Sequence, residues 1–516
     1  MSTLHRSHDG RGQPRARTRR RRLLAGGLVA GSLVAGATGL TGVAGPPGGT
    51  DLFGPVLAGS SSVALNPGAV RATGTPRDGD TDRAEPSPPS RPTTQGDRPA
   101  GVTLDVPCDP ARLIAALVHL DAQGGGVLRL ASSCTYVLTE AAADDDRFDG
   151  GVRDARETAD RLENGENATN TDKSRAELRR ENSSGLPVVY HPIEIRGAGA
   201  TIARDPNAAE FRFFTVRDGG ELKLSDVTLR NGRSVAEGGS VHVVHGGSAV
   251  LDGVTVTDSV SFSAEGGGGA VFNDGNLVVT DSTFTRNVAA AKTGRGGALL
   301  NGGVLTVTGS TFADNRAAST GGGFANFRGA AEVGDSTFRQ NQAAQGGGIA
   351  SFSARTRVWD TEVVGNTAEV GGGVANADAT LALRGMTVRD NVATRNGGGI
   401  SAVKGLLTLD ESVVRANVAR GNGGGLYVEQ SNVPVRRTEV SGNGAVGATS
   451  AGGGIHATSG QVSLFASQVT GNRAVRNPGG VHANKLRAAV DDESVIARNQ
   501  PTNCEGSPTS VGSCFR

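Results

Sequence analysis

The sequence predicts an all-β chain, a single-stranded parallel β-helix whose laps stack into a solenoid with a short N-terminal capping helix. Three observations lead there. An Asn recurs at positions 287, 315, 341, 366, 391, 417, 443, 472 and 499, at spacings of 28, 26, 25, 25, 26, 26, 29 and 27 residues. A fixed period of this size marks a stacked-repeat architecture. Within each repeat the apolar period is two, as in Val304-Leu305-Thr306-Val307 and Leu406-Leu407-Thr408-Leu409, and no repeat offers a long run at helical spacing. Two apolar columns then run the length of the repeats. One lies three residues before the Asn (Phe284, Phe312, Phe338, Val363, Val388, Val414, Val440, Val469, Ile496), and the other directly follows a glycine cluster (Val271, Leu299, Phe324, Ile349, Val374, Ile400, Leu426, Ile455, Val481).

About two dozen residues with two glycine-rich breaks fit three short strands and three bends, one turn of a β-coil. A single coil cannot bury its inner face, and stacking does so. With strands about 4.8 Å apart, about eleven coils make a rod roughly 50 Å long. The Asn column is expected to build the fold. A carboxamide both donates and accepts, so it can satisfy the backbone groups that leave the ladder at a bend, and Asn tolerates left-handed backbone angles. A second column, Asn273, Asn301, Asn326 and Asn376 with Ser351 in the gap, carries the same expectation. The glycine clusters supply the positive φ that sharp corners require.

Taken from the start, residues 1–44 read as an export signal. Eight Arg precede Gly26, ending in Arg19-Arg20-Arg21-Arg22-Leu23-Leu24, and a Gly- and Ala-rich apolar run follows to Ala44. This looks like a twin-arginine signal, with small-x-small cleavage sites ending at Ala37 or Ala44. The expected location is therefore secreted or cell-surface, with no membrane span once the signal is removed. Residues 45–100 hold Pro, Gly, Ser, Thr and charges without an apolar pattern, the composition of a disordered linker. The β-helix domain is expected over 101–516. Asp109-Pro110 opens a helix, Asp as N-cap and Pro at its first position, with Leu113, Ile114, Leu117, Val118 and Leu120 on its apolar side. Strands are expected at Val127–Leu130 and Tyr136–Thr139. Residues 140–185, with 13 acids and 8 bases, read as a charged insert. Its Asn170-Thr171-Asp172 matches a triplet of polygalacturonase sites, but the Gly-His-Gly and Arg-Ile-Lys partners are missing. Regular coiling resumes at Ile193–Ile202. Four cysteines in an exported chain suggest two disulfides with three possible connectivities. One bridge at each end, Cys108 with Cys134 and Cys504 with Cys514 in the cap 500–516, is the simplest.

The tetrapeptides Gly-Gly-Ala-Val, Gly-Gly-Ala-Leu and Phe-x-x-Asn resemble the repeats of chlamydial polymorphic outer-membrane proteins. They also resemble those of secreted actinobacterial β-helix proteins. The resemblance covers Gly197 to Asn499. It implies a right-handed parallel β-helix of the pectin-lyase-like kind and adhesin-like roles; a transporter barrel like that of the outer-membrane proteins is not evident after the last coil.

Solenoids act through outward columns. If alternation holds, the residues that follow the glycine-cluster column face outward, so Tyr427, His456 and His482 stack on successive coils. Glu429, Thr458 and Asn484 then lie two residues on, on the same face, with Lys485 beside them. Imidazole next to carboxylate and phenol can bind a metal or trade protons near neutral pH, so Glu429, His456 and His482 are the catalytic candidates and Tyr427, His456, His482 and Asn484 the binding candidates. An acidic column (Asp226, Asp281, Asp335, Asp360, then Glu411 and Glu493) is read as a solvated bend broken by Gly253, Gly309, Gly385, Arg437 and Ala466. Arg339, Arg389 and Arg415 repeat two before the Asn and suggest an anion-binding strip.

A formal charge of +1 gives no global attraction to nucleic acid. No metal site and no cofactor is evident; Ca²⁺ binding is conceivable on the acids, but no nonapeptide calcium pattern supports it. The expected function is a monomeric, non-enzymatic binding module for an extracellular glycan or surface protein. The alternative is a polysaccharide lyase or glycoside hydrolase, by analogy of fold.

Overall fold

A computed structural model describes residues 102–142 and 183–514 of the 516-residue chain. The export signal, the linker, most of the charged insert and its Asn170-Thr171-Asp172 triplet lie outside the described residues.

The described chain is a right-handed parallel β-solenoid of roughly a dozen laps. Every pairing within a column is parallel and joins one lap to the next, as in Val271↔Leu299↔Phe324↔Ile349. Most laps carry three strands of the 33-stranded sheet, for example Leu299–Asn301, Val304–Thr308 and Thr311–Ala313; in others the first two run together, as in Val374–Arg384. Most also carry a fourth piece of two residues, such as Arg316–Ala317, which the sequence reading of three strands did not include. These short pieces stack in ladders of four and five strands of their own. Two residues cannot display an alternation, which is why the pattern missed them.

Inside, one apolar cluster runs from Val106 to Val511. The Phe column is a stack of rings: Phe284, Phe312 and Phe338 are nearly parallel, with centroids 4.8 and 4.6 Å apart. At the N-terminal end, the helix Pro110–Ala122 joins strands Val102–Val106 and Gly126–Leu130, which pair in parallel. Its N-cap Asp109 accepts from the Ala111 and Arg112 amides. Leu113, Leu117 and Leu120 enter the core, whereas Val118, expected on the apolar side, is more than half exposed. Both disulfides are the local ones, Cys108–Cys134 and Cys504–Cys514.

The Asn column is a continuous hydrogen-bonded ladder. Asn341 Nδ2 donates to Phe312 O at 2.9 Å and to Asn366 Oδ1 at 3.0 Å. Its own Oδ1 accepts from the amide and Nδ2 of Asn315, both at 3.0 Å. The same four bonds recur at Asn391. The last rung comes from the cap: Asn499 donates its amide and Nδ2 to Oδ1 of Asn503, only four residues on. A parallel hydroxyl ladder, invisible in the sequence reading, runs through Ser282, Ser310, Ser336 and Thr361. Each backbone amide donates to the next hydroxyl, as Ser282 N does to Ser310 Oγ at 3.1 Å.

Backbone angles explain the acidic column. Asp226, Asp281, Asp335, Asp360 and Glu411 all have φ between 45° and 51°, and Gly253, Gly309 and Gly385 at the equivalent bends have φ of 61° to 63°. The column is selected for the left-handed conformation that Gly and Asp tolerate best, not for carboxylate chemistry. The glycine clusters divide the work. Gly346 (φ 63°) turns the corner, and a Cβ on Gly347 would run into the backbone carbonyl of Gly372 in the next lap.

Candidate functional site

The predicted outward column forms. Tyr427 pairs with His456 and His456 with His482 on three successive laps. Their rings stack, Tyr427 to His456 at 5.8 Å and 8°, His456 to His482 at 4.2 Å and 5°. Tyr427 donates its hydroxyl to Glu429 Oε2 at 2.9 Å. Glu429, Thr458 and Asn484 sit on the same face, each half-buried, and Lys485 is exposed. The Asn484 amide donates to Ala457 O.

The column is less open than alternation suggests. His456 is 5% exposed and Tyr427 8%, and Ala325, Ala350, Ala375 and Ser401 below them are buried too. The left-handed glycine that leads into each strand folds the chain back over this position. A Cβ on Gly452 would come within 2.7 Å of His456 Cβ. Burial pushes His456 down to about 3, with the neighbouring His482 adding to the effect, and burial lowers His482 as well. Burial raises the Tyr427 hydroxyl, and the Glu429 carboxylate raises it further. The imidazoles are therefore neutral at physiological pH. Nδ1 of each lies buried without a hydrogen-bond partner. Parallel rings cannot both hold one ion in plane, and no group of three or more His, Cys, Asp or Glu side chains converges among the described residues.

The sign of the pH dependence follows. A His with a folded pKa below its unfolded value leaves the unfolded chain binding more protons between the two. Stability from His456 is complete above about pH 6.5 and falls as pH drops toward 3. Wild type should lose melting temperature more steeply between pH 7.5 and 5 than His456→Phe, which keeps the stack but cannot titrate; parallel curves would contradict this.

Two of the three residues of the Arg strip are already engaged. Arg389 bonds Glu362 at 2.8 Å and Asp390 at 2.7 Å, and Arg339 lies 4.0 Å from Asp314 and bonds Gln340.

A larger feature was not anticipated. An open trough of about 1140 Å³ runs along the corner between the first and second strands of each lap, from His245 to Gly405. Its floor is a column of small residues, Gly275, Gly303, Gly329, Ala354, Ala379 and Gly405. These corners are small because successive laps approach closely there. A Cβ on Gly303 would meet the Gly275 carbonyl, and one on Gly405 the Ala379 carbonyl. The titratable lining comes from His245, Asp274, Arg328, Arg355 and Asp378, with Asn276, Ser353 and Thr380 adding neutral polar groups. Seven laps contribute, and six steps of about 4.8 Å give a length of about 29 Å. The column of large residues drew attention in the sequence; this site is written in a column of absent side chains, four or five residues after the apolar stripe. The trough leads toward the predicted patch: Val403 pairs with Glu429, and Gly405 with Ser431.

The fold thus defines the class, a right-handed parallel β-helix protein with a lateral trough. Neither a protein-family model nor a curated protein matches the sequence. Among solved structures, the chain is similar to the A-module of the mannuronan C-5 epimerase AlgE6 from Azotobacter vinelandii. Identity is 13%, the match covers 76% of this chain and 96% of that one, and the TM-score is 0.42.

Proposed function

We propose that the protein is an exported, adhesin-like binding module that holds an extended glycan along the trough. The carrying observation is the trough itself, an open groove built from equivalent corners of seven laps. It is far longer than a small metabolite, and it is straight, because it follows the stacking axis. Its lining mixes carboxylate, guanidinium and imidazole with exposed backbone corners, the donors and acceptors that hydroxyl-rich chains require.

The distances speak for binding over hydrolysis in the trough. Asp274 and Asp378 are four laps apart, about 19 Å at about 4.8 Å per lap, whereas glycoside hydrolysis uses carboxyl groups roughly 5 to 9.5 Å apart. Glu429, beyond the end of the trough, is a single carboxylate already accepting from Tyr427. Ala330 is exposed on the trough wall. Ala330→Trp should abolish retention on the polysaccharides that wild type binds, without lowering its melting temperature. Undiminished binding would dismiss the trough. Release of reducing ends or unsaturated products by wild type would instead favour the enzymatic alternative.

Export by the twin-arginine-like segment is part of this proposal. Lysine at both Arg19 and Arg20 should leave the protein inside the cell, as fractionation of the producing cells would show; normal secretion would remove that element.

A further inference from the structure

The chain has a single tryptophan, Trp359, and it stands on the outside of the solenoid. It ends the strand Arg355–Trp359, whose Thr356 and Val358 are buried while Arg355, Arg357 and Trp359 alternate with them on the outer face. Its partner in the preceding lap is Gly334. A Cβ there would run into Cε2, Nε1 and Cζ2 of the indole, so the ring lies over Gly334 and fills the place of the missing side chain. By alternation Gly334 is an outward position; it is buried all the same, because the indole covers it.

Away from Gly334, no side chain takes hold of the ring. Trp359 is half-buried, and among the described residues no guanidinium and no second aromatic ring stacks on it. Arg384, its partner in the next lap, bonds Glu411 in the lap beyond at 3.0 Å. Among the described residues the indole Nε1–H has no protein acceptor, although a tryptophan packed into a fold usually gives that donor a partner. Two residues back along each strand, Arg357 and Glu332 face one another at 3.1 Å and neutralise each other. Thr308, which pairs with Gly334 from one lap earlier, is half-buried, and its hydroxyl holds no hydrogen bond among the described residues.

Shielding Gly334 does not call for this residue, since a leucine would shield it too. An indole adds a flat electronegative face and a donor at its edge. The weakly positive C–H groups on one side of a pyranose complement such a face, and its hydroxyls complement the donor and the polar groups around it. With Arg357 and Arg384 already paired to carboxylates, the surroundings suit a neutral sugar.

The strand ties this ring to the trough. Arg355, at its other end, lines the trough, and four residue steps place Trp359 about 13 Å away. That displacement runs across the stacking axis, whereas the trough runs along it. A linear glycan in the trough passes Trp359 at a distance. A branch that leaves the trough over the Arg357–Glu332 pair reaches it.

We propose that Trp359 is a stacking subsite for a neutral pyranose on a side branch of the glycan, so that the ligand is a branched chain with its backbone in the trough. This rests on the glycan reading of the trough and adds the branch.

The test measures binding of the full chain to matched linear and branched polysaccharides: mannan and galactomannan, hydroxyethyl cellulose and xyloglucan, an unbranched and a glucose-branched β-glucan. In at least one pair the branched polymer should bind about tenfold tighter than the linear one, the size expected for one ring stacked on an aromatic side chain. It alone should shift the tryptophan emission, all of which comes from Trp359. Trp359→Leu, which still covers Gly334, should keep the melting temperature and hold linear-chain affinity within about twofold, yet lose the advantage of the branched chain. Trp359→Phe should retain part of it. Equal binding within every pair, or an advantage that survives in Trp359→Leu, overturns the stacking subsite and leaves the trough reading intact. An advantage that survives in Ala330→Trp but not in Trp359→Leu overturns the trough reading, and with it the branch, while the contact at Trp359 stands. Failure of every polymer to bind overturns both readings.

Discussion

Replacing Asn341 with Ala should destabilise the exported domain by about 3 kcal/mol or more, and replacing it with Asp by at least as much. The side chain makes four hydrogen bonds in a position with essentially no solvent. Truncation leaves the Asn315 amide without its acceptor in the core, and an unpaired buried polar group costs about 1–3 kcal/mol. It also removes one partner each from Phe312 O and Asn366 Oδ1. Aspartate keeps the two acceptor bonds but turns the donor into a second acceptor. That oxygen would face the Phe312 carbonyl and the Asn366 carboxamide oxygen, a buried charge against two acceptors. Chemical denaturation of wild type and both variants checks this; an Asp variant as stable as wild type would show that the ladder direction has been misread.

The second large effect is expected at Phe312. Its ring is fully buried between Phe284 and Phe338. Phe312→Ala should cost about 3–5 kcal/mol, the range for emptying a core aromatic position, because rings fixed by the laps above and below cannot collapse into the gap. Phe312→Leu should cost less than half as much, since the same column already accepts Val and Ile further along. Calorimetric melting of the three proteins distinguishes them. A loss under 1 kcal/mol for the alanine variant would mean that the column is not close-packed.

These two columns were the legible part of the molecule. A lap of about 26 residues aligns its side chains with those of its neighbours at one fixed height. Residues that recur at that spacing, such as Asn341 and Phe312, must touch their counterparts, and the string displays the contact. The stack of Tyr427, His456 and His482 was legible for the same reason. What alternation could not convey was the depth of that stack, since Gly452 covers it with backbone rather than with a side chain. The acidic column misdirects for a related reason: Asp335 and Gly309 are interchangeable only when φ is the selected property, and φ is not written in residue chemistry. The trough was hidden because its floor, Gly303 to Gly405, is made of residues that contribute nothing to an apolar or charged pattern.

Asn503 has one more implication. In every other lap the rung that receives Asn is supplied by the lap that follows, so an uncapped last lap would present an open acceptor-seeking edge to solution. Such an edge is a template: the first free chain able to offer a carboxamide at the right height would extend it, and extension would regenerate the same edge. By folding back four residues to occupy that place itself, beside the Cys504–Cys514 bridge, Asn503 terminates the carboxamide ladder from within the chain and removes that template.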